Sequence, residues 1–250
     1  MNRYLLAFAI FFSSTEIRAQ IVNIENERLL EKKQGWMGSA DIGFSFIMNT
    51  KQLLQLSDKV KLGYRKNKAY FLALADHAFV KSEGEDFVNS GFQHLRFDYA
   101  LGDSSRFEWE FFQQGQFNKI QKIDLRLLLG TCLRLNIVGV KNYDLHFGTG
   151  VMGEYEELTE LGVSRDLLST SYLSFDGQFT PTFGLNSITY FQPKFIDFGN
   201  YRLSNETSLR FKINKYFSLK IVYNLIHDSR NIPGVRKTNY AIKNTLSIAF

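Results

Sequence analysis

Apolar and polar residues alternate along most of this chain with a period of two. Leu125, Leu127, Leu129, Leu133, Leu135 and Ile137 interleave with Asp124, Arg126, Gly130, Cys132, Arg134 and Asn136. Leu203, Leu209, Phe211 and Ile213 alternate in the same way with Arg202, Ser204, Glu206, Ser208, Arg210 and Lys212. Near the end, Tyr240, Ile242, Leu246, Ile248 and Phe250 stand against Ala241, Lys243, Thr245, Ser247 and Ala249. Successive side chains of a strand point to opposite faces, so each row predicts a strand with one oily and one polar face. Turn residues divide the chain beyond Gly35 into twelve such strands, near 36–48, 53–65, 69–80, 87–100, 106–117, 121–137, 141–155, 167–179, 184–196, 200–213, 216–228 and 238–250. The alternation is poorest in the third, eighth and ninth.

The connections carry a second pattern. With both chain ends on one side, the even-numbered connections are short, as at Asn67, Val138 to Val140 and Asn214-Lys215. Several odd-numbered ones are longer and more charged: Lys81 to Asp86, Glu156 to Asp166, and Ser229 to Lys237. Short turns on one side and longer loops on the other characterise outer-membrane barrels. Aromatic residues recur near row ends (Trp36, Tyr99, Trp109, Tyr143, Tyr201, Tyr240), as the two membrane interfaces favour. A soluble antiparallel sandwich would also alternate, but its aromatics need no particular depth. The expected fold is all-β, a closed antiparallel transmembrane β-barrel of about twelve strands. Closure leaves no strand edge unpaired in hydrocarbon.

The first residues form an address. Arg3, the apolar run Leu5 to Phe12 and the small residue Ala19 read as a cleaved signal peptide over 1–19. Residues 20–34 are then a periplasmic lead-in or a short plug, and 35–250 the barrel. The expected location is the outer membrane of a Gram-negative bacterium. A strand ending at Phe250 suits the barrel-assembly machinery, and the partners expected are outer-membrane lipid and lipopolysaccharide around a monomer.

Composition narrows the alternatives. In 250 residues, 24 Phe and 12 Tyr with 3 Pro exclude disordered and collagen-like chains. One cysteine, Cys132, excludes an intrachain disulfide framework. A net charge of +5 invites a nucleic-acid reading, but the basic residues are dispersed along alternate strand positions, so nucleic acid is not an expected partner.

Fragments of these strands resemble a known family. Gly84-Glu85-Asp86-Phe87-Val88-Asn89 with Phe92-Gln93-His94-Leu95-Arg96, Phe107-Glu108-Trp109-Glu110, Gln113 to Lys119, and Leu125-Arg126 with Leu129-Gly130-Thr131 are similar to the salt-induced outer membrane proteins, domain of unknown function 481. Cys132 stands where a second glycine is expected after Leu129-Gly130-Thr131. The resemblance implies an outer-membrane barrel and transfers no catalytic residue.

The polar rows hold the candidate chemistry. Asp41, Asp98, Glu108, Glu110, Asp124, Asp144, Glu154, Glu206 and Asp228 face Lys59, Lys61, Arg96, Arg126, Arg134, Arg202, Arg210, Lys212, Lys220 and Lys243. A lumen-filling network of ion pairs is expected, with a selectivity lining for a narrow pore as the second reading. The function expected is thus a barrel of unknown role, a narrow pore or a structural or surface protein. No cofactor or metal site is expected, and no enzyme. The alternative is a phospholipase-like outer-membrane hydrolase, for which His227 and Ser229 have the spacing of a base and a nucleophile. His94 and His146 read as hydrogen-bonded lumen residues, and Gly148 and Gly150 as relief of crowding.

Overall fold

The computed structural model describes residues 34–48, 52–82, 85–102, 106–214 and 217–248. The expected signal peptide, residues 20–33 of the lead-in and Phe250 lie outside the described residues. Twelve strands follow: β1 (Gly35–Met48), β2 (Gln52–Lys66), β3 (Ala69–Ser82), β4 (Glu85–Ala100), β5 (Phe107–Asn118), β6 (Ile123–Val140), β7 (Tyr143–Leu158), β8 (Gly162–Thr180), β9 (Phe183–Lys194), β10 (Asp197–Lys212), β11 (Phe217–Asp228) and β12 (Thr238–Ile248). They form one sheet in chain order, each antiparallel to the next.

The distribution of burial is inverted relative to a soluble protein. Glu156 (0% exposed), Glu110 (1%), Arg126 (4%) and Arg96 (5%) are buried, whereas Leu129 is 69% and Leu167 57% exposed. Water-facing sheets bury their apolar row and expose the charged one. From β3 to β11 the buried row is chiefly even-numbered and the exposed row odd-numbered. The buried face is also concave. Seven strand spacings of about 4.8 Å would hold β4 and β11 about 34 Å apart in a flat sheet. Yet Phe92 of β4 and Ile226 of β11 line one cavity.

The three weakly patterned strands have identifiable causes. In β3 the inner row is itself apolar: Tyr70, Leu72 and Leu74 are buried, with Met37 and Phe92 packed on the first two, so both faces read as oily. In β8 and β9 the outer row is the anomaly. Ser187 and Thr207 share a 2.8 Å hydrogen bond, Thr149 and Ser171 one of 3.0 Å, and the Asn205 amide donates to Thr189 Oγ1 at 2.9 Å. These hydroxyls satisfy one another, which lowers the cost of placing them on an apolar face.

Two connections depart from the sequence reading. The one expected over Lys81 to Asp86 narrows to residues 83–84, because β3 runs to Ser82 and β4 begins at Glu85, with Lys81 paired to Asp86. The loop expected over 156–166 is only Thr159–Leu161, because β7 continues to Leu158 and β8 begins at Gly162. Glu160 (φ 72°) and Gly162 (φ 80°) adopt the left-handed backbone that so tight a reversal needs. The connection Ser229–Lys237 does lie outside any strand.

Aromatic residues on the exposed face mark two levels. At the end of the even-numbered connections stand Trp36, Tyr99, Phe107, Trp109 and the stacked series Phe179, Phe183 and Phe211. Towards the other end stand Phe117, Phe191, Tyr201 and Tyr240. Phe107 and Phe117 lie ten residues apart on β5. At about 3.3 Å per residue and a tilt of about 40°, they are separated by about 25 Å along the axis, the height of an outer-membrane apolar band.

Candidate functional site

The inner face carries two layers of ion pairs. The first lies towards the odd-numbered connections, where the inner rows of β6, β7, β10 and β11 end. Arg126 Nε donates to Glu154 at 2.5 Å and lies 3.7 Å from Glu156. Arg202 Nη2 donates to Glu156 at 3.1 Å and to Asp228 at 2.9 Å. Arg230, from the β11–β12 connection, donates to Asp228 at 2.7 Å and pairs with Glu156 through Nη1. Lys194 and Asp166 add a pair at 2.6 Å. Four cations meet four anions, so the layer is neutral, as charges withdrawn from water must be. Burial alone would lower the pKa of Arg230, but hydrogen bonds from it to Asp228 and Glu156 raise it above the ordinary arginine value. Arg230 is therefore a permanent cation.

The second layer lies deeper. Arg96 Nε donates to Asp98 at 2.9 Å, and Arg96 also pairs with Glu110. The Tyr172 hydroxyl lies 2.8 Å from both carboxylate oxygens of Glu110 and donates its proton there. Arg134 approaches Glu110 at 3.8 Å and Glu108 at 3.9 Å. Tyr172 must cross two strands to reach β5, and Gly148 makes that possible. A Cβ at Gly148 would collide with the Tyr172 ring, and one at Gly150 with the backbone of Thr131 and Cys132. These glycines relieve crowding, as their place within a strand suggested.

The β11–β12 connection closes over the first layer. Besides the Arg230–Glu156 pair, Ile232 (7% exposed) packs against Ile123, Leu158 and Val235. Ile123 and Leu158 are cross-strand partners at the ends of β6 and β7. The connection thus spans from β11 across to β6 and β7. Beneath it, the void among Arg126, Glu154, Arg202, Asp228 and Arg230 is about 10 Å³, room for one water. A larger cavity of about 90 Å³ lies below, between the two layers. Its walls include Phe92, His94, Phe112, Tyr172 and Tyr190, with Arg96, Glu110, Arg126 and Arg202 as the charged groups.

Of the residues expected in the lumen, Arg96, Asp98, Glu110, Arg126, Arg134, Glu154 and Arg202 meet in these layers. Glu108 is at their margin. Lys59, Lys61, Asp144, Glu206 and Arg210 are half-buried on the inner face. Asp41 stands opposite Lys59 in register, its side chain outside those described. Asp124 departs from the expectation. A register shift between Ile123 and Leu125 turns Ile123 inwards and leaves Asp124 exposed at the rim, where it accepts a hydrogen bond from Thr159 Oγ1 at 2.8 Å.

His227 and Ser229 have separate partners. His227 Nδ1 shares a hydrogen bond with Thr238 Oγ1 at 2.8 Å, while Ser229 Oγ accepts from the Tyr201 backbone N–H at 2.8 Å. His94 is buried between the rings of Phe92 and Phe112. The alternation places Glu156 and Arg230 in loops, outside the lumen set. Extending the inner row Met152, Glu154 by one more period finds Glu156. Arg230 has no periodic signal, because it belongs to no strand.

The model of the family described as "Protein of unknown function, DUF481" matches residues 40–250. No curated protein matches the chain. Among solved structures, the chain is similar to the NanC porin, with a TM-score of 0.50 at 11% identity, covering 86% of this chain and 99% of that one. The translocator domain of the autotransporter NalP from Neisseria meningitidis gives 0.48 at 11% identity, covering 91% and 95%. A KdgM porin in complex with disordered oligogalacturonate gives 0.40 at 11%, covering 85% and 99%. The similarity to NanC identifies a porin-like fold.

Proposed function

Because the chain belongs to the DUF481 family, whose function is unknown, its role must be read from its own interior, and we propose that it is an outer-membrane β-barrel forming a narrow conduit that is shut in this conformation. In this reading β1 pairs with β12, since an open sheet would leave two edge rows of N–H and C=O groups unsatisfied in hydrocarbon. The aromatic levels about 25 Å apart support a membrane-spanning band.

One observation carries the shut state: the β11–β12 connection reaches across to β6 and β7, latched by Arg230 on Glu156 and by Ile232 on Ile123 and Leu158. Twelve strands lie between the eight that fill their own interior and the sixteen to eighteen that leave a water channel. The two ion-pair layers add a second obstruction. The reading extends to a monomer in a Gram-negative outer membrane, with the exposed rim cations against anionic lipid headgroups. Single-channel recording from the refolded protein in a planar bilayer tests it. The expected record is silence with rare openings. A steady conductance of the size of general porins would end the proposal.

A further inference from the structure

Arg126 is 4% exposed, and its Nη2 is buried without a hydrogen-bond partner among the described residues. Its Nε is taken by Glu154 at 2.5 Å. A buried guanidinium donor left unmade is costly, and most such groups in folded proteins are satisfied by protein, water or ligand. Arg126 lines the cavity of about 90 Å³, so an occupant of that cavity is positioned to satisfy it.

Cations outnumber carboxylates on the cavity wall itself, their counter-charges standing behind it. Three cations line it, Arg96, Arg126 and Arg202, against one carboxylate, Glu110. Glu110 is already consumed by Arg96 and the Tyr172 hydroxyl. Glu154, Glu156 and Asp228, which balance Arg126 and Arg202, are absent from the cavity wall. A second donor is available there. The Gln192 amide makes one contact among the described residues, a long one of 4.0 Å to Met152 Sδ. The rest of the wall combines an apolar and aromatic side, Phe92, Phe112, Leu128, Tyr190 and Ile226, with the polar residues His94, Gln114, Gln116, Gln121, Thr170 and Ser204.

We propose that this cavity is a binding site for a small carboxylate, whose oxygens accept from Arg126 Nη2 and the Gln192 amide while a short apolar body lies against Phe112 and Tyr190. Guanidinium nitrogens are matched to planar carboxylate oxygens. Size limits the class further. A 150 Å³ apolar cavity holds benzene, with six heavy atoms, so about 90 Å³ takes roughly four. That is acetate, with propionate at the upper edge, and not a sugar or an oligomer. The site deepens the narrow-conduit reading, on which it rests, by naming what the shut lumen retains.

The test is ligand-observed saturation-transfer NMR on the refolded full barrel in deuterated detergent, with sodium acetate, propionate and hexanoate as probes. Acetate and propionate are expected to receive saturation, with hexanoate at least ten-fold weaker. Equal concentrations of chloride are expected to leave the acetate signal in place; displacement would mean an unselective anion well and overturn the carboxylate class. Arg126→Met is expected to weaken acetate binding ten-fold or more. Because Arg126 also holds Glu154, that variant could fail to fold. Ser204→Leu, which fills the cavity from β10 without altering an ion pair, is expected to abolish the signal in a protein that still shifts on boiling. Signal of equal strength in the wild type and the folded Ser204→Leu variant would place the probe in the detergent shell and overturn the site. Absence of transfer to a folded wild type would do the same. Conductance is read separately, so an open channel that still binds acetate would refute only the shut state.

Discussion

The latch offers the sharpest perturbation. Opening the β11–β12 connection breaks the Arg230–Glu156 pair and exposes Ile232, whereas the Arg230–Asp228 contact is local and travels with the connection. A charge-assisted hydrogen bond contributes about 1.5–3 kcal/mol, and burying an isoleucine side chain a similar amount. Replacing Arg230 by Gln and Ile232 by Ser together should therefore shift the shut-to-open ratio by about 3–6 kcal/mol, or two to four orders of magnitude at about 1.4 kcal/mol per decade. The fold should survive, because Glu156 keeps Arg202 at 3.1 Å and Arg126 at 3.7 Å. Recorded in planar bilayers at equal protein density, the double variant should show frequent discrete openings where the wild type is nearly silent, with Arg230→Gln alone in between. A folded double variant as silent as the wild type would refute the argument that this connection holds the lumen shut.

Three further outcomes follow from the same geometry. Leu129→Lys places a charge on the most exposed apolar position of β6, and should cost about 2–4 kcal/mol if that face meets a bilayer but almost nothing if it meets water; denaturant unfolding in lipid vesicles, followed by tryptophan fluorescence, decides. Gly148→Ala should displace the Tyr172 ring and cost the charge-assisted bond to Glu110, about 1.5–3 kcal/mol; combined with Tyr172→Phe the losses should be strongly sub-additive in the same unfolding assay, since both remove one interaction. Glu110→Leu removes the carboxylate shared by Arg96 and Tyr172 and should destabilise by about 3–5 kcal/mol, seen as a lower temperature at which the compact band is lost on detergent gels; an unchanged temperature would mean that the deeper layer contributes nothing.

How much of this was legible along the chain depended on range. Local alternation sufficed for twelve strands and for the inner placement of Arg96, Glu110, Arg126, Glu154 and Arg202, because strand geometry sends neighbours to opposite faces whatever the fold. It faltered where a face met an unusual surrounding. The β3 pattern is blurred because Tyr70, Leu72 and Leu74 fill the lumen with apolar bulk. The β8 and β9 patterns are blurred because Ser171, Ser187 and Thr189 occupy the outer row. Asp124 was misplaced because a one-residue register shift reverses the parity of everything before it.

What alternation carries is which side chains share a face; which of them meet across the lumen depends on curvature. Tyr172 reaching Glu110 over Gly148 joins residues 62 apart, and Arg230 reaching Glu156 joins residues 74 apart. No period in the chain encodes either contact, because both arise from bending the sheet until β5 approaches β8 and the β11–β12 connection approaches β7. Alternation alone yields an all-β chain with an oily outer row and a charged inner one. Sheet curvature and long-range contact gather the charges into two layers, latch one of them with a connection outside every strand, and set Arg126 in the wall of the cavity between them with a buried Nη2 that makes no hydrogen bond among the described residues.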